Sequence, residues 1–178
     1  RGAATPELRL IAEMADLFEV SIDALIGYEF RNNDRESTIA KLKQYVHDRN
    51  EDSAIAETEK ALRRYPKCFD IVYYSARIYR VRGLCQKKNE YSKRALALYR
   101  HACDLIRQND DPEITEISIC KEMAQIHLAI DEYDKGVELL KQNNPCRMNH
   151  PLIGETLASS CNDPEGAMPY LSMALLDF

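Results

Sequence analysis

The sequence predicts an all-α fold: two short helices, a brief polar connection, then a stack of helical pairs. Three observations predict it. Apolar residues recur at helical spacing along most of the 178 residues. Glycine and proline are scarce, at 6 and 7 residues, and Pro66, Pro112 and Pro145 fall between the periodic runs rather than inside them. Small residues return at matching places in those runs, as Ala54 and Ala61 and again as Ala95 and Ala102. Such residues let neighbouring helices approach closely.

The first helices lie in residues 5–27, TPELRLIAEMADLFEVSIDALIG. Thr5 can cap a helix through its hydroxyl, and Pro6 suits a first helical position, where no amide hydrogen is needed. Leu8, Ile11, Ala15 and Phe18 recur at helical spacing, and Glu19-Val20 breaks the period. Ser21 caps a second short helix, Asp23 favours its first turn and Gly27 ends it. Met14, Phe18, Val20 and Leu25 are expected to form a small shared core.

The order Pro6, Met14-Ala15, Phe18, Val20-Ser21, Asp23, Leu25, Gly27 closely resembles the last two helices of the Xre/Cro-type helix-turn-helix family. Arg1-Gly2 resembles the tail of the Trp-Glu-Arg-Gly signature that often follows that family's recognition helix. The resemblance covers about the first 30 residues. It implies that the front of the DNA-binding domain, with the reading helix, precedes Arg1. Arg1 and Thr5 then become the residues expected near a DNA backbone.

After a polar linker, a repeat is sought by its fixed period. Tyr45 fits the aromatic position of a first helix, and Ala54, Ala61 and Pro66 the small-residue and terminal-proline positions of a second. Tyr79 and Gly83 then fall in a first helix, and Ala95, Tyr99 and Ala102 in a second. A third unit holds Met123 and Ala124, then Tyr133, Gly136 and Leu140. A partial fourth offers one more second helix with Ala167, Leu171 and Ala174. An insertion around GLCQKKNEY requires either a longer loop or extended helices. The pattern resembles degenerate tetratricopeptide repeats. The expected fold is therefore all-α: the C-terminal helices of a helix-turn-helix domain (1–30), a linker (31–35), and a tetratricopeptide-like α-solenoid (36–178) of about three and a half helical pairs. The last helix makes a poor polar cap, so the chain is expected to continue beyond Phe178.

Composition limits the function. The formal charge is −5, so the chain as a whole is not a basic nucleic-acid binder and any DNA contact is local. No apolar run approaches the length of a membrane span, and no secretory signal is visible. The six cysteines, Cys68, Cys85, Cys103, Cys120, Cys146 and Cys161, form no CxxC pair and no zinc spacing. They read as reduced, mostly buried small apolar residues of a cytoplasmic protein. Nothing supports an enzyme: there is no phosphate loop, GxSxG or HExxH motif, and no cofactor or metal is implied. His127 falls at a packing position and reads as a satisfied residue rather than a ligand.

Charge is uneven along the repeats. Residues 77–107 are strongly basic and 110–138 strongly acidic. The inner surface of a tetratricopeptide array comes mostly from first helices. The register puts Lys43 and His47, then Tyr73, Arg77 and Arg80, then Lys121 and Gln125 on that surface. Related arrays hold an extended peptide in such a groove, often by its terminal carboxylate, which Arg and Lys can bind with several donors. A dimer surface is expected on the apolar last helix, at Leu171, Leu175, Leu176 and Phe178.

Together the two resemblances imply a bacterial-type transcriptional regulator. Its complete helix-turn-helix would bind DNA, as a homodimer matched to paired half-sites. Its repeats would dimerise, sense a peptide or protein, or both. The alternative is a tetratricopeptide interaction scaffold without DNA binding. The sequence upstream of Arg1 discriminates between the two.

Overall fold

The computed structural model describes residues 8–18, 20, 22–25, 35–48 and 51–176. Every regular element among them is helical. The order is α1 (Leu8–Leu17), α2 (Ile22–Leu25), α3 (Arg35–Asp48), α4 (Glu51–Arg64), α5 (Phe69–Gln86), α6 (Asn89–Asp104), α7 (Glu116–Ala129), α8 (Tyr133–Gln142), α9 (His150–Ser159) and α10 (Pro164–Leu176). Short 3₁₀ turns stand at Ile106–Gln108 and Pro145–Arg147. No helix among the described residues is long and apolar enough to cross a membrane.

The chain divides into two compact units, Arg1–Lys41 and Leu42–Phe178, with the division inside α3. This falls later in the chain than the linker at 31–35 that the sequence suggested; residues 31–34 of that linker lie outside the described residues. The proposed cap residues Thr5 and Ser21, with Pro6 and Gly27, also lie outside them.

In the first unit the two short helices stand where the periodicity predicts them. The end of α1 is closed by the Phe18 N–H on the Met14 carbonyl and the Val20 N–H on the Ala15 carbonyl, both at 3.0 Å. The expected core is not there. Ala15 is buried, but Phe18 is 58% exposed, and Met14 and Val20 are exposed too. A ten-residue helix and a four-residue helix cannot enclose a phenylalanine between them. Instead Leu10, Met14 and Leu17, spaced i, i+4, i+7, form an exposed apolar stripe. Phe18→Ala is therefore expected to change the stability of the 178-residue chain by no more than ~0.5 kcal/mol, as for other surface positions. Urea unfolding measures this; a loss near the ~3 kcal/mol of a buried phenylalanine would contradict the exposed placement.

In the second unit successive helices pack in chain order: α4 on α5, α5 on α6, and so on to α9 on α10. α5 also rests against α7. Small residues mark the close approaches. Ala54 and Ala61 in α4, Ala95 and Ala102 in α6, Ala124 in α7 and Ala167 in α10 are all buried. Between them stand large buried side chains, Phe69, Tyr99, Ile119, Leu140 and Ile153. A Cβ on Gly83 would lie 2.9 Å from the backbone nitrogen of Ser92, so α5 and α6 touch there backbone to backbone. On Gly154 of α9 it would meet the Leu171 side chain of α10. Ala124, Val137, Leu140, Ile153, Leu157 and Ala167 form one cluster that joins α7–α8 to α9–α10.

Three sequence expectations are refined here. The insertion around GLCQKKNEY becomes extended helices, since only Lys87 and Lys88 separate α5 from α6. The last helix, expected alone, has a packing partner, because α9 lies against α10. The cysteines are unpaired but not mostly buried: Cys85 and Cys146 are exposed and the other four are half-buried. Most of them stand at helix ends or in connections, where no core forms around them. The start of α7 is held by a reciprocal cap. Thr115 Oγ1 accepts from the Ser118 N–H at 3.1 Å, and Ser118 Oγ accepts from the Thr115 N–H at 2.9 Å.

Candidate functional site

Helical periodicity assembles the candidate groove. Tyr73, Arg77 and Arg80 lie at i, i+4 and i+7 on α5, and Lys121 and Gln125 at i and i+4 on α7. Because α5 rests against α7, the two rows meet. Arg80 Nη2 donates to Gln125 Oε1 at 2.7 Å. Lys43 on α3 places its Nζ 5.1 Å from the centre of the Tyr74 ring, a cation–π contact. The His47 side chain lies outside the described residues.

Tyr73 does not line a groove in the way the register predicted. It is 5% exposed, stacked on Phe69 at 5.7 Å and edge-on to Tyr99 at 6.1 Å. The i, i+4, i+7 face is wide, and the Tyr73 end of it turns into the core. Arg77 remains at its rim, with Cζ 6.0 Å from the Tyr73 ring centre. Sequence reasoning also missed Glu122. It lies one residue after Lys121 on α7 and accepts a hydrogen bond from the hydroxyl of the fully buried Tyr99. The adjacent charge carries the signal, but the repeat register gives Tyr99 a packing role alone.

Some cations of the second unit are paired with carboxylates and others are not. Arg94 on α6 pairs with Glu59 at 3.1 Å, and Lys135 on α8 with Glu132 at 3.0 Å. Among the described residues, Lys43, Arg77, Arg80 and Lys121 have no carboxylate within ion-pair distance. The Nε–H groups of Arg77 and Arg80 are buried without an acceptor among them. An unsatisfied buried donor costs about 1–3 kcal/mol.

Buried phenols surround this region. Burial, then the Glu122 carboxylate, push the Tyr73 hydroxyl up to about 12, against the opposing effect of Arg77. Burial and the hydrogen bond to Glu59, 2.7 Å away, also push Tyr79 up to about 12. Tyr99 is raised as well, by burial first and Glu122 second. A raised acid keeps its proton in the folded chain and loses it first in the unfolded chain. The stability it contributes is full below the unfolded value near 10 and is lost as pH rises through about 12. A falling melting temperature between pH 10 and 12 is therefore expected, and Tyr79→Phe should flatten that fall. An unchanged slope in the variant would remove Tyr79 from the account.

The remaining candidates stand apart from this face. His127 is buried, with Nδ1 2.6 Å from Glu132 Oε2, and serves the α7–α8 turn. His101 sits with Leu62, Pro66, Arg94, Ala97 and Leu98 around an open pocket of about 270 Å³, its Nε2 2.8 Å from the Pro66 carbonyl. No group of three His, Cys, Asp or Glu residues that could hold a metal occurs among the described residues. Arg1 and Thr5 lie outside those residues. Of the expected dimer residues, Leu171 is not a surface side chain: it is half-buried against Gly154. Leu175 is exposed, and the side chains of Leu176 and Phe178 lie outside the described residues.

Comparison with protein-family models, with curated proteins and with solved structures found no match.

Proposed function

We propose that this chain belongs to a DNA-binding transcriptional regulator of bacterial type, in which helical pairs dimerise, sense a peptide or protein ligand, or both. The carrying observation is the first unit. Its support is two short helices, Leu8–Leu17 and Ile22–Leu25, in the stretch whose sequence resembles the Xre type. Phe18, which that resemblance needs in a core shared by the two helices, is exposed, so burial in this unit does not support the reading. Tetratricopeptide-like repeats fit the second unit, with small residues at each close approach and large ones between.

The test is footprinting with the protein extended upstream of Arg1, on its own promoter region in ~0.15 M salt, a condition that weakens phosphate-only binding. Protection of paired half-sites about one helical turn apart is expected. Absence of sequence-selective protection would overturn the reading. The 178-residue chain alone, with its formal charge of −5, is expected to bind DNA weakly and without preference in a gel shift. Selective, tight binding by that chain would contradict the assignment of base reading to an upstream helix.

The cationic row on α3, α5 and α7 favours a second reading, an interaction scaffold for an acidic peptide or a peptide's terminal carboxylate. Isothermal titration of acidic peptides with free and amidated C-termini tests it. Arg80→Ala and Lys121→Ala should each weaken binding several-fold. Peptide binding that persists when footprinting fails would select the scaffold.

A further inference from the structure

We infer that the cleft between α4 and α6 binds a small arylalkanoate, a flat apolar ring on a short chain that ends in a carboxylate. The cleft lies apart from the cationic row of α3, α5 and α7, so the inference goes beyond the proposed function and does not rest on it.

Two helical rows build the cleft. Glu59, Leu62, Arg63 and Pro66 follow at i, i+3, i+4 and i+7 along α4 and just past its end. Arg94, Ala97, Leu98 and His101 repeat that spacing on α6. The rows are joined at both ends. Arg94 Nη2 donates to Glu59 Oε1 at 3.1 Å, and His101 Nε2 lies 2.8 Å from the Pro66 carbonyl oxygen. Seven residues separate the two bridges in each row, about 10 Å along a helix axis. Between the bridges the rows leave a cavity of about 270 Å³. Its floor is apolar: Leu62 and Leu98 are buried there, and Ala97 contributes only a methyl group.

The two ends differ in chemistry. Glu59 accepts from the Tyr79 hydroxyl at 2.7 Å as well as from Arg94, and Arg63 acts on the same carboxylate from the next turn of α4. Two guanidinium groups therefore share one carboxylate, and this end keeps a surplus positive charge. Guanidinium carries several donors, and the Arg94 side chain is 47% exposed, so a ligand carboxylate can bind beside Glu59. At the other end a carbonyl oxygen only accepts, so His101 Nε2 carries the hydrogen and the ring is held in place. A fixed imidazole gives a flat aromatic group a partner to stack on.

Size and length choose among apolar anions. The volume lies just below that of drug-sized ligand pockets, about 300–1,000 Å³, so the ligand is small. The distance of about 10 Å between the bridges calls for a spacer between ring and carboxylate. A bare anion would leave Leu62, Ala97 and Leu98 unused.

NMR of the nitrogen-labelled 178-residue chain provides the test, with hydrocinnamate as the probe and hydrocinnamamide as its uncharged counterpart. Hydrocinnamate should shift the amides of Ala97, Leu98 and His101 saturably, with a dissociation constant on the order of 1 mM, ordinary for so small a ligand. Hydrocinnamamide, equal in shape, should bind about fivefold more weakly or worse. Ala97→Phe, at an exposed helical position, fills the cleft with its own ring. It should abolish the shifts with unchanged far-UV circular dichroism. Arg94→Met should weaken hydrocinnamate about fivefold and leave binding of the amide unchanged. No saturation by roughly 20 mM, well above the expected constant, would overturn the proposal. So would equal binding of the two probes, or shifts that survive Ala97→Phe. Footprinting and the titration of acidic peptides read other surfaces, so failure there leaves this result standing.

Discussion

Tyr99→Ala is expected to destabilise the second unit more than any other single change considered, by on the order of 3–5 kcal/mol, the range for deleting a buried aromatic side chain. Tyr99 is fully buried on α6 and sits where three helices converge. Its ring meets Tyr73 of α5 edge-on, and its hydroxyl donates to Glu122 of α7. Truncation removes the packing and at the same time leaves the Glu122 carboxylate without its donor. Tyr99→Phe separates the two effects. It keeps the ring and withdraws one hydrogen bond to a charged group, worth about 1.5–3 kcal/mol, with the lower end expected because Glu122 is only half-buried. Urea unfolding of both variants measures the difference. A loss under ~1 kcal/mol for the alanine variant would show that Tyr99 is not the centre of this core. The same pair of variants probes the groove, because Glu122 released from Tyr99 can turn toward Arg77 and Arg80 and compete with an anionic ligand there.

Much of the second unit was legible because its helices obey one local rule, alternation of small and large residues at fixed spacing. Ala54, Ala61, Ala95, Tyr99, Ala102, Ala124 and Ala167 are all at buried positions. α9, which carries Pro151 and Gly154, has no counterpart in that small-residue pattern. In the fold the proline stands in the first turn, where its lost donor costs nothing, and the glycine gives Leu171 room. The first unit was legible in its helices and not in its burial. Periodicity says which residues share a face; it does not say what faces them, and for Leu10, Met14 and Leu17 nothing described does. The placement of the candidate groove residues was half legible. Spacing brought Arg80 to Gln125 through α5 and α7, but no local pattern reveals that Tyr73 turns inward or that Tyr99 reaches Glu122, since both depend on packing between helices.

Gly83→Ala is the second large expected effect, and it is a test of how closely the helices of one pair approach. A methyl group added there would lie 2.9 Å from the Ser92 nitrogen and 3.2 Å from its Cα. These are backbone atoms of α6, so relief requires the whole helix to move rather than one side chain to rotate. Overpacking of this kind costs about 1–3 kcal/mol. Against it stands a gain of up to ~1 kcal/mol, because alanine suits a helix interior better than glycine. The sterics should win, giving a net loss. Gly154→Ala supplies the contrast. Its nearest obstacle is the Leu171 side chain, and the Leu171 nitrogen is further away, at 3.3 Å. Leucine can change rotamer where a backbone cannot, so the propensity gain should offset most of the cost there. Chemical denaturation should therefore rank Gly83→Ala clearly below Gly154→Ala in stability. Equal stabilities, or a stabilised Gly83→Ala, would mean that α5 and α6 stand further apart than the small-residue register requires, and the repeat-like packing proposed for this unit would lose its closest contact.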